Sequence, residues 1–77
     1  MTTITALEQH NGHSVSYELG HISGVEVAKV MGVQDEEDIQ ALGIATWQET
    51  RRSMNLDLLD FVNGYTQGYA MYLNGFI

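Results

Sequence analysis

A chain of 77 residues that contains no cysteine must hold its fold by packing alone. A domain this short covers only about 60–65% of the surface that its unfolded chain exposes, so its margin of stability is thin. Small domains commonly add disulfides, a metal or a second subunit. Here disulfides, thiolate metal sites and a cysteine nucleophile are all excluded. Close packing and self-association remain. The length fits one domain over 1–77, and no repeat, linker or low-complexity stretch divides it.

The chain is also strongly acidic, with ten Asp and Glu against three Lys and Arg, a formal net charge of -7. Its hydrophobic fraction of 44% is ordinary globular usage, which argues against disorder. Asp35, Glu36, Glu37 and Asp38 form one unbroken run. Such a field repels nucleic acid and acidic membrane and attracts basic protein surfaces. No apolar run approaches the ~20 residues needed to span a bilayer. The opening segment MTTITALEQHNGH has neither a basic region nor an apolar core, so no signal peptide is expected. A cytoplasmic location fits this and the lack of cysteine.

Residues 2–19 read as a β-hairpin. Asn11-Gly12 is a strong two-residue turn signal, because both positions of a type I′ turn need φ > 0. The register it sets pairs His10 with His13, Glu8 with Val15, Ala6 with Tyr17 and Ile4 with Leu19. Ile4, Ala6, Val15, Tyr17 and Leu19 then share one face, an alternation that a one-residue slip would destroy.

Helices are expected to pack on that face. Ser23 with Glu26 is a capping-box pattern, so a helix is predicted over 24–31, with Gly32 as its stop. Asp35 can cap a second helix over 36–53, with Glu36, Glu37 and Asp38 in the first turn, where the helix dipole favours anions. Gly43 costs about 1 kcal/mol in a helix interior, so this segment is one weakened helix or two short ones. Asn55 can cap a last, longest helix over 56–73, ended by Asn74-Gly75. Leu58, Val62, Tyr65, Tyr69, Tyr72 and Phe76 recur along it at steps of four and three. The expected fold is therefore α+β, a hairpin packed against three or four helices.

The stretch SGVEVAKVMGVQDEEDIQALG has the outline of a helix-turn-helix. The part of such a motif that reads DNA is the start of its second helix, and here that start is four carboxylates. Direct nucleic-acid binding is therefore not expected. His10 and His13, with Glu8 alongside and His21 following, could be set close enough for zinc, but a polar hairpin tip explains them better and no metal or cofactor is assigned. No nucleophile elbow, phosphate-cradling loop or acid–base pair is present, so no catalytic residue is assigned either.

The acidic run is the candidate contact surface for Lys or Arg on a larger protein. Asp35, Glu36, Glu37 and Asp38 would form it, extended by Glu49, Asp57 and Asp60 if the helices align. In size and charge over its whole length, though not in any residue motif, the chain resembles small acidic inhibitors of phages and mobile elements, of the anti-CRISPR and anti-restriction type. That resemblance implies an inhibitor occupying a basic, nucleic-acid-binding surface. The alternative is a homodimeric or accessory subunit whose contact face is Tyr65, Tyr69 and Tyr72.

Overall fold

The computed structural model describes residues 14–50 and 55–76, and these are helical with no strand among them. Three helices follow one another: α1, Val15–Met31; α2, Glu36–Thr50; and α3, Leu58–Leu73. The α+β expectation is thereby overturned. Its Asn11-Gly12 turn and His10–His13 pair lie outside the described residues. The segment assigned to its second strand, however, is the first turn of α1. Ser14 is the N-cap, its hydroxyl accepting from the Tyr17 N–H at 3.2 Å. Ser23, the expected cap, sits in the middle of α1 instead.

The reason lies in a stripe of small residues. Ser16, Gly20, Gly24 and Ala28 recur every four residues on α1, and all four are buried. Gly64 and Gly68 form the matching pair on α3. A Cβ on Gly20 would overlap the Phe61 carbonyl oxygen, and one on Gly24 the Tyr65 carbonyl oxygen. Reciprocally, a Cβ on Gly64 would overlap the Tyr17 carbonyl oxygen, and one on Gly68 that of His21. The two backbones therefore touch directly. Residue numbers rise together along both sides of the contact, so α1 and α3 run parallel. Each interior glycine costs a helix about 1 kcal/mol of propensity, which the close approach of two whole backbones offsets.

α2 returns antiparallel to both and packs on α3. Gly43 near its middle faces the Tyr65 ring, and a Cβ there would lie 3.1 Å from the nearest ring carbon. The Trp47 indole N–H donates to the Leu56 carbonyl at 2.8 Å, joining the end of α2 to the start of α3. α2 is continuous through Gly43. α3 is thus flanked on two sides, and Phe61, Tyr65 and Tyr69 on it are fully enclosed. Ala28, Ile39 and Leu56 complete the buried cluster, with Leu19, Val27, Leu42 and Trp47 packed against it.

The ends are fixed locally. Gly32 closes α1 at φ 73°, its N–H bonded to the Ala28 carbonyl at 3.0 Å. Asp57, not Asn55, caps α3, accepting from the Asp60 N–H at 2.9 Å. Asn74 and Gly75 end it, Gly75 at φ 83°. No helix among the described residues is long and apolar enough to cross a membrane.

Candidate functional site

Asp35, Glu36, Glu37 and Asp38 stand at the α1–α2 end of the bundle, and all four are exposed. Glu36, Glu37 and Asp38 occupy the first turn of α2, while Asp35 lends its backbone carbonyl to the Ile39 N–H at 2.9 Å. The partial positive charge of the helix start holds such acids together without a counterion. Among the described residues none of the four makes an ion pair. Lys29, in the last turn of α1, is paired with Glu26 at 3.7 Å instead. That exposed pair is worth little to stability.

The same end is apolar as well as acidic. Val30 and Val33 are each 83% exposed, and Met31 is 45% exposed. A cleft of about 320 Å³, open to solvent, runs between the end of α1 and the start of α2, lined by Met31, Gln34, Asp38, Ala41 and Leu42. The turn joining the two helices is anchored from below, because the Tyr69 hydroxyl donates to the Gly32 carbonyl at 2.6 Å.

The other acids lie elsewhere. Glu49 is exposed near the far end of α2, about 20 Å along the helix from Glu36 at 1.5 Å per residue. Asp57 and Asp60 stand beyond it, at the start of α3. Both have structural work there. The Asp57 N–H donates to the Ser16 hydroxyl at 2.8 Å, and the Ser14 hydroxyl donates to the Asp60 carboxylate at 2.8 Å. These bonds tie the starts of the two parallel helices together. The fold thus separates the seven acids into an exposed quartet at one end and a structural pair, with Glu49, at the other.

The tyrosine face is also corrected. Tyr65 and Tyr69 have no exposed surface and offer no contact in this fold; Tyr72 is partly buried and packs on the core. Burial pushes the hydroxyl pKa of Tyr65 above its ordinary value; Thr46 opposes this and Tyr69 adds to it. Thr46 Oγ1 already donates to the Leu42 carbonyl at 2.8 Å, and Tyr65 Oη is left without a well-formed hydrogen bond. Burial likewise raises Tyr69. Tyr17 is raised by burial and, secondarily, by Glu18.

Of the histidines, His10 and His13 lie outside the described residues. His21 Nε2 meets Met71 Sδ at 3.4 Å in a groove shared with Tyr17, Glu18 and Gln67. No group of three or more His, Cys, Asp or Glu that could hold a metal occurs among the described residues.

The apolar part of the acidic end escaped the reading of the sequence, although Val30 and Val33 flanking Gly32 were a visible signal: two β-branched residues beside a helix stop have little core to enter. No protein-family model, curated protein or solved structure matches this chain.

Proposed function

We propose that this protein is a small interaction module that docks on a basic surface of a larger protein through the acidic end of its bundle. The observation that carries the reading is the position of Asp35, Glu36, Glu37 and Asp38. They are exposed, they pair with no cation among the described residues, and they sit beside a turn that Tyr69 anchors. A carboxylate cluster with no cationic partner among the described residues is available to lysine and arginine, and its field would steer encounter. Where the partner's basic surface binds nucleic acid, occupancy would make this protein an inhibitor by competition. A homo-oligomer built on the tyrosines loses its main support, because Tyr65 and Tyr69 are enclosed.

The test is an NMR titration with an arginine-rich peptide, repeated as salt rises from about 50 to about 500 mM. Shifts should concentrate around 35–38, weaken with salt and disappear in E36K/E37K. Shifts spread evenly over every acid of the chain, or retained in the double variant, would remove the proposal.

A further inference from the structure

We infer that the segment bound at the acidic end is basic and amphipathic, an apolar side chain seating in the cleft between α1 and α2 while lysines or arginines beside it meet the four carboxylates. The inference rests on the docking function proposed above and specifies the chemistry of the partner.

A carboxylate cluster that only solvated a helix start would need no apolar neighbours. Here Val30 and Val33 are among the most exposed large apolar residues of the described chain, three positions apart on either side of Gly32. Their chain neighbours Met31 and Gln34 line a cleft together with Ala41, Leu42 and a single carboxylate, Asp38. Its volume of about 320 Å³ is at the lower end for ligand pockets, and it opens widely, which suits a side chain presented by another protein better than an enclosed small molecule. The charge decides the occupant. An uncharged apolar segment would leave Asp38 in the lining and the other carboxylates of the adjoining turn without a cation, and an acidic one would be repelled. A basic amphipathic segment satisfies both halves of the surface. Such segments recognise partners by laying an apolar face into a groove, with charge setting register.

Two synthetic helical peptides carrying equal numbers of lysines, one with leucines on its second face and one with serines there, test this by calorimetry. The leucine peptide should bind about tenfold or more tightly, as expected for burying one aliphatic side chain. Ala41→Glu places one more negative charge at an exposed position of the cleft. Docking led by charge alone would be strengthened by it. Docking through the cleft should instead fall, the leucine peptide dropping to the affinity of the serine peptide. V30S/V33S, at two exposed positions, should narrow the same difference, with circular dichroism checking the fold. Equal affinity of the two peptides, or tightening of both by Ala41→Glu, would overturn the inference. If E36K/E37K still weakens both peptides in that case, the acidic docking itself stands. If E36K/E37K affects neither peptide, the docking reading fails and this inference falls with it.

Discussion

The Tyr69 hydroxyl donates to the Gly32 carbonyl at 2.6 Å, joining the middle of the core to the turn that carries the acidic end. One turn earlier on α3, the Tyr65 hydroxyl is buried without such a bond. The two tyrosines therefore respond differently to loss of the hydroxyl. Tyr69→Phe strands the Gly32 carbonyl and should lower unfolding free energy by about 0.5–1.5 kcal/mol. Tyr65→Phe removes an unpartnered polar atom and should be neutral or stabilising. Urea unfolding of both variants measures the contrast, and equal losses would contradict it.

Alkaline pH should destabilise the protein through the same residues. Burial raises Tyr65 and Tyr69 above their ordinary value of 10.0, so the fold favours the neutral phenol. Their contribution is complete below the unfolded pKa and is lost as pH climbs from there through the folded value. Melting temperature followed alongside phenolate absorbance should fall across that window. The decline should be shallower in Tyr65→Phe, and an unchanged slope would count against it.

Gly20→Ala and Gly43→Ala gain the same helix propensity, about 1 kcal/mol each, and should part company sharply. At Gly20 the added methyl meets the rigid Phe61 backbone, with the carbonyl carbon only 2.9 Å away. α1 and α3 would have to separate, so a net loss of about 1–3 kcal/mol or more is expected. At Gly43 it meets the Tyr65 ring at 3.1 Å, and a side chain can shift by a few tenths of an ångström. A near-neutral result is expected there. Thermal unfolding decides the matter, and a Gly20→Ala protein as stable as Gly43→Ala would refute the backbone contact.

The acids should divide in the same way. Asp57→Ala removes the α3 cap and should cost about 0.5–2 kcal/mol. Glu49→Ala, at an exposed position, should stay within about 0.5 kcal/mol of the parent. E36K/E37K should lose about 0.3–1 kcal/mol of helix-dipole interaction per residue while abolishing binding of basic peptides. Chemical denaturation beside peptide titration checks all three, and a collapse of the fold in E36K/E37K would assign those residues a structural role.

Sequence alone determined the parts that depend on neighbours in the chain. The stop at Gly32, the end at Asn74-Gly75 and the acidic first turn at 36–38 follow from backbone freedom and the helix dipole, and they are where the structure has them. Tertiary structure decided the rest. Val15, Tyr17 and Leu19 alternate as a strand would, and a short apolar run of this kind is ambiguous by periodicity. Gly20 falls between the expected hairpin and the expected helix, and Gly24 at the start of that helix. They become the middle of a helix only because Gly64 and Gly68, more than forty residues away, bring a second backbone against them. The same contact encloses Tyr65 and Tyr69, a stripe whose period specified a helix but not which side would meet water. Burial depends on what arrives from elsewhere in the chain, and a helix face carries no local mark of its future neighbour.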